Sequence, residues 1–258
     1  YIAMQHISAA FRREATPRLD DPRSFLQRTI TAAHRSIVRN AGESGLPESP
    51  RTTCVACIVQ DDTACWAHAG DSRLYHIRAG RILAQTRDHS LVQQLIDSGR
   101  VREEAVAAHP DRNRIFNCLG SQGLPRVDLS EGTRLNTGDS LILCTDGLWG
   151  PLSGKIISSA VLNMGIMRGI PELLDDAQRR AGRECDNISV VALTWEGPAA
   201  RAFRAGTPAT TLAGVVAPPP AGKTSAAEAQ NDCLSDEEIE RAIARIRNTI
   251  RRQNHDKT

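Results

Sequence analysis

The sequence predicts an α+β fold built on a β-sandwich, and three observations predict it. Helical periodicity opens the chain, strand patterns cluster between residues 51 and 86, and helices separate these from a last strong strand at 188–195. Strands grouped with strands argue against alternating βαβ units. No internal repeat breaks the order.

The elements follow along the chain. Ile2, Met4, Ile7, Ala10 and Phe11 recur at roughly helical spacing. No Ser, Thr, Asp or Asn precedes them as a cap, so the sequence is read as starting inside a helix and as a fragment. Asp21-Pro22 marks the start of a second helix, with a capping carboxylate followed by proline at the first helical position. Phe25, Leu26, Ile30, Ala33, Ile37 and Val38 form its apolar stripe, and Gly42 ends it. The Gly/Pro/Ser-rich stretch 42–50 is a loop.

Strands are predicted at 52–59 and 63–69 around a turn at Asp61-Asp62, and at 74–77 and 81–84 around a turn at Ala79-Gly80. Together they read as one antiparallel meander. Helices follow at 91–98, stopped by Gly99, and at 102–108, stopped by His109-Pro110. The stretch 109–123 is a surface loop. Thr137-Gly138-Asp139 is a turn that feeds a short buried strand at 141–144. Helices at 155–164 and 171–181 lead to the β-branched strand 188–195.

Beyond Trp195 the composition turns to Ala, Gly, Pro and Thr, which predicts a flexible linker over 197–231 after a domain at 1–196. Ser235-Asp236-Glu237-Glu238 is a capping box for a helix in 232–258. Ile239, Ile243, Ile246 and Ile250 give that helix an apolar stripe suited to self-association or to a partner.

Composition narrows the function. The chain has 258 residues, a net charge of +2 and 3% aromatics. That gives neither a polyanion-binding surface nor a base-stacking platform, so nucleic acid is not expected. No apolar run reaches membrane-spanning length and no signal peptide is visible, so no membrane is expected. Seven cysteines at irregular spacing point to free thiols and a cytoplasmic location.

Cys54-x-x-Cys57 and Cys65-x-x-His68 have zinc-ligand spacing. Both pairs fall on predicted strands, where a separation of three sends side chains to opposite faces. Buried free thiols are the better reading. The carboxylates carry more. Asp71, after Gly70, lies at a strand-to-strand junction; Asp146, before Gly147, ends a strand; Asp186-Asn187 precedes the last strand. Gly147 lets the backbone turn and leaves room for a ligand. Three aspartates at three strand ends suit Mg²⁺ or Mn²⁺ if they converge. Taken singly, each is also a turn residue or an arginine partner.

The motifs stand in a specific order. Arg51-Thr52-Thr53 opens a strand, and Trp66-Ala67-His68-Ala69-Gly70-Asp71-Ser72-Arg73-Leu74-Tyr75 follows. Next come Thr86-Arg87-Asp88-His89-Ser90, then His109-Pro110 with Asn113. Cys144-Thr145-Asp146-Gly147-Leu148-Trp149 and Asp186-Asn187-Ile188-Ser189-Val190-Val191 complete the set. This set resembles the metal-dependent PP2C-type protein serine/threonine phosphatases in their bacterial form.

The resemblance implies helices on both sides of the sandwich, in α-β-β-α layers. It implies hydrolysis of phosphoserine and phosphothreonine on proteins by a metal-activated water, opposing a cognate protein kinase. Two Mn²⁺ or Mg²⁺ ions are expected on Asp146 and Asp186, with Asp71 and Asp146 holding a weaker third. Gly147 and Asn187 would supply backbone beside the ions, and His109 and Asn113 would lie in a flap near the substrate. Arg73 is expected to be structural. The family has a further Asp-Gly pair upstream, whereas this sequence contains one Asp-Gly pair, at Asp146. The expectation is therefore a form lacking its first strands and of low activity. The alternative is a non-catalytic regulatory module of the same fold that binds a partner.

Overall fold

The Asp21 carboxylate accepts hydrogen bonds from the Arg23 and Ser24 amides and so caps helix α2 (Pro22–Glu43). Helix α1 (Ile2–Glu14) precedes it and lacks a side-chain cap, as its sequence predicts. Phe25, Leu26, Ile30, Ala33 and Ile37 form the buried stripe of α2, and Phe11 meets Phe25 edge-on at 6.0 Å. The computed structural model describes residues 1–102, 111, 114–197 and 214–215. These lie in one unit, Tyr1–Ala217; the second, Pro218–Thr258, lies outside the described residues. Also outside them are His109, Asn113 and most of the helix predicted at 102–108.

Strands β1 (Cys54–Gln60) and β2 (Thr63–Ala69) form a hairpin whose loop residues Asp61 and Asp62 both have positive φ. Strands β3 (Arg73–Arg78) and β4 (Arg81–Gln85) form another, with Ala79 and Gly80 likewise at positive φ. Both are two-residue turns of the kind that matches strand twist.

The two hairpins belong to different sheets, which corrects the single meander read from the sequence. The first sheet runs β1-β2-β5, with β5 (Asp128–Leu129) and β6 (Thr133–Arg134) both paired to β2. The second runs β4-β3-β7-β8-β9, where β7 is Ser140–Cys144, β8 Ser189–Thr194 and β9 Gly214–Val215. The chain crosses between sheets at Gly70-Asp71-Ser72. Gly70 has φ +116°, and a Cβ there would lie 2.5 Å from Thr53 Cγ2. Only glycine makes that crossing without strain.

Three cores fix the layers. Helices α1 and α2 pack on the outer face of the first sheet through Phe25, Leu26, Ile30, Ala67 and Ala69. Trp66, Leu74, Leu135 and Leu141 fill the space between the sheets. Helix α4 (Asp146–Trp149) and the long helix α5 (Gly154–Ala181) cover the second sheet through Leu148, Ile157 and Leu173. The α-β-β-α order implied by the resemblance is thus present. Helix α5 is kinked at Gly165, so the two helices predicted there share one run. A short helix α3 (Leu91–Asp97), capped by Ser90, follows β4.

The cysteine pairs behave as strand geometry requires. Cys54 joins the helix-side core and Cys57 the inter-sheet core. Burial pushes the Cys54 thiol up to about 11; burial, and then Cys65, push Cys57 up to about 12.

A buried carboxylate pins the turn that feeds β7. Asp139 is fully buried and accepts from His76 Nε2 at 2.8 Å, from Arg78 Nε and Nη2 at 2.7 Å each, and from the Asn136 amide at 2.9 Å. Burial alone would raise its pKa. Arg78, the Asn136 amide and His76 outweigh burial and hold it well below the usual carboxylate range. A depressed carboxyl stabilises the fold above its unfolded value of about 4, and that contribution fades as pH falls through the folded value. Replacing Asp139 with Asn is expected to cost about 3 kcal/mol at pH 7, and less at pH 3. Urea melts of both proteins at the two pH values measure this; an unchanged gap would rule out the charge as its source.

Candidate active site

The end of β7 delivers Asp146, the segment leading into β8 delivers Asp186, and Thr145 ties the two together. The Thr145 amide donates to the Ser189 carbonyl at 3.1 Å. Its hydroxyl oxygen accepts the Ser189 amide at 3.0 Å and donates to the Asn187 carbonyl at 3.2 Å. The next residue, Asp146, opens α4. A Cβ on Gly147 would lie 2.6 Å from the Asn187 carbonyl oxygen. The glycine therefore permits close approach of the Asn187 backbone.

Asp71 comes from the crossing between the sheets and is buried. Its carbonyl accepts from Trp149 Nε1 at 3.0 Å, which fastens it to the end of α4. The Arg73 guanidinium lies 3.7 Å from the centre of the Trp149 ring and forks onto Asp88 through bonds of 2.9 and 2.8 Å. Arg73 thus pairs with Asp88 and not with Asp71, in keeping with its expected structural role. Nothing in the Thr86–Ser90 motif marks Asp88 as a partner for Arg73. Fifteen residues separate it from Arg73, so no local spacing signals the pair.

Asp146 acts on Asp71, and Asp186 acts on Asp146. Burial, then the charges of Asp146 and Asp88, push Asp71 up to about 6. Burial, then Asp186, raise Asp146 as well. Asp146 Oδ1 accepts the Gly147 amide at 3.0 Å, and Asp186 Oδ1 accepts the Asn187 amide at 2.7 Å. Among the described residues, no hydrogen bond from an arginine or lysine side chain to Asp71, Asp146 or Asp186 is found. Carboxylates that repel one another without a bound cationic side chain fit a hard divalent cation, which relieves the repulsion and accepts oxygen donors. His109 and Asn113, expected near the substrate, lie outside the described residues.

No family model matches the chain. It is similar to a putative protein phosphatase 2C-type from Streptococcus pyogenes serotype M6, being 33% identical over 174 residues, 67% of this chain and 69% of that protein. It is also similar to the serine/threonine protein phosphatase PstP of Mycobacterium tuberculosis, 33% identical over 167 residues, 64% of this chain and 32% of that protein. The chain therefore spans about two thirds of the first relative and about a third of the second. A solved catalytic domain of PstP, in complex with two manganese ions, matches with a TM-score of 0.61 and 27% identity over 74% of this chain and 79% of that one. Serine/threonine phosphatase Stp1 from Staphylococcus aureus matches with a TM-score of 0.70 and 27% identity over 76% of each chain.

Replacing Asp146 with Asn removes an oxygen donor and the repulsion it exerts. Mn²⁺ affinity measured by titration calorimetry is expected to fall at least about tenfold, some ~1.4 kcal/mol. The melting temperature without metal is expected to hold or rise. A variant that binds Mn²⁺ as the parent does would remove Asp146 from the donor set.

Proposed function

The chain belongs to the PP2C-type protein phosphatases, and on that premise we propose that it hydrolyses phosphoserine and phosphothreonine on proteins with Mn²⁺ or Mg²⁺. The observation that carries this is the electrostatic coupling of Asp71, Asp146 and Asp186, brought from three separate strand ends. In this reading Asp146 and Asp186 hold the two principal ions, and Asp71 with Asp146 holds a third. Gly147 and Asn187 supply the backbone that keeps the two principal carboxylates adjacent. His109 and Asn113 belong to the substrate flap.

When bound, such ions neutralise phosphate charge and make water more acidic. The residues of this chain provide position and charge. The two amide hydrogen bonds, from Gly147 to Asp146 and from Asn187 to Asp186, each fix one carboxylate oxygen. Burial around Asp71 lowers the local dielectric and so strengthens its attraction for a cation. No covalent phosphoenzyme is required, since positioning and charge neutralisation carry phosphoryl chemistry of this kind.

The family's further Asp-Gly pair does not occur in this sequence. We therefore expect the present donor set to hold ions weakly and turnover by this chain to be slow. The substrates are phosphoproteins made by a cognate kinase. Beyond β9 we also propose that Ile239, Ile243, Ile246 and Ile250, which lie outside the described residues, would meet a partner or a second copy. A cytoplasmic setting is supported by six free cysteines among the described residues. No described helix is long and apolar enough to cross a membrane.

The test is an assay of the full chain with a phosphothreonine peptide and Mn²⁺. Slow turnover is expected, abolished by EDTA and lowered at least about 100-fold in Asp146→Asn, or ~2.7 kcal/mol in barrier. Intact Mn²⁺ binding with no turnover would favour the non-catalytic partner-binding module instead.

A further inference from the structure

His68 and His89, both buried, cluster with the half-buried Asp128 beside Gly70, with one potential ligand atom from each lying within 4.8 Å of the others. Its hydrogen bonds argue against a metal there. His89 Nδ1 faces two donors: the Gly70 amide at 3.2 Å and Asn117 Nδ2 at 2.5 Å. The Asn117 amide cannot be turned round, because its Oδ1 accepts the Arg126 amide at 2.9 Å and its Nδ2 donates to the Arg126 carbonyl at 2.8 Å. Nδ1 is therefore an acceptor, and the ring proton sits on Nε2. A protonated Nε2 does not ligate a metal. His68 is stacked on His89 with ring centres 4.7 Å apart and the planes 22° from parallel, and its Nε2 donates to the Arg87 carbonyl at 2.8 Å. Nearly parallel rings point their lone pairs past a common ion.

What the cluster does instead is grip one peptide. The backbone amide of His89 donates to the Gly70 carbonyl at 2.9 Å while its ring accepts the Gly70 amide. Asp128 Oδ2 stands 3.2 Å from Nε2, off the line of its N–H, and opposes the partial positive charge there. Gly70 is the residue immediately before Asp71.

We propose that His89, held in the Nε2–H tautomer by Asn117, is a positioning residue that sets the Asp71 carboxylate for its cation. The proposal rests on the reading of Asp71 as a metal ligand. It differs from a packing role because it depends on one acceptor atom. Asparagine at 89 places an amide oxygen near the site of Nδ1 and keeps the bond to Gly70. Glutamine reaches toward Asp128 and leaves the Gly70 amide without its acceptor.

The experiment compares Mn²⁺ binding by calorimetry in the full chain and in His89→Gln, His89→Asn and Asp71→Asn. The expected result is that His89→Gln weakens binding as far as Asp71→Asn does, about tenfold, while His89→Asn stays within about threefold of the parent. Parental binding in His89→Gln alongside weakened binding in Asp71→Asn overturns the proposal alone. Parental binding in Asp71→Asn overturns the ligand reading and the proposal with it. Should the His89 variants not fold, ¹⁵N NMR of the unaltered chain decides: an Nδ1–H tautomer at His89 overturns the lock.

Discussion

The Arg73 guanidinium brings a full charge into the interior, and the arrangement around the three aspartates depends on that charge being met. Desolvating it is costly, and an unpaired partner would cost several kcal/mol. Asp88 meets it with two parallel hydrogen bonds, and the Trp149 ring meets its flat face. Trp149 in turn fastens the Asp71 carbonyl. One cation thus links the start of β3, Asp88 in the segment between β4 and α3, and the end of α4. Lysine offers neither the fork nor the flat face, so it would leave Asp88 half satisfied.

The same region shows why a functional site is held against its own electrostatics. Burial raises the cost of ionising both Asp71 and Asp146, the charge of Asp146 adds to it at Asp71 and that of Asp186 adds to it at Asp146, and no arginine or lysine side chain hydrogen-bonds to any of the three among the described residues. The opposite solution appears at the other end of β7, where the Arg78 guanidinium neutralises the Asp139 carboxylate, His76 hydrogen-bonds to it, and nothing is left for a ligand to add. The contrast separates a structural carboxylate from a waiting one. Burial is common to both; the difference is whether the protein supplies the counter-charge.

Much of this was legible in the sequence where local chemistry decides structure. The Asp21-Pro22 cap, both two-residue turns, β2 at its full extent and the strand ending before Asp146 all follow from short-range rules. The Asp71, Asp146 and Asp186 positions were recognisable because strand ends are where a sheet presents side chains. Period-two alternation, however, says nothing about which sheet a strand joins, so from sequence alone the crossing at Gly70-Asp71-Ser72 looks like one more turn of a meander. The two-residue strands β5 and β6 and the four-residue α4 are too short to have a period. Asp88 and Asn117 act through partners distant in the chain, and Gly147 answers to a backbone forty residues away.

The central place of β7 has a consequence for the order in which the protein is made. Its neighbours are β3 and β8, with Ser140 pairing to Ile77 on one side and to Thr194 on the other. The β1–β2 and β3–β4 hairpins close over two-residue loops, whereas β7 closes loops of many tens of residues on either side. Loop-closure entropy favours the hairpins first and the centre of the second sheet later. Asp71 lies on the link between the two early hairpins, whereas Asp146 and Asp186 flank the late pairing of β7 with β8. On this order the repulsion centred on Asp146 arises only when β7 and β8 come together, at a stage when hydrophobic burial is there to oppose it.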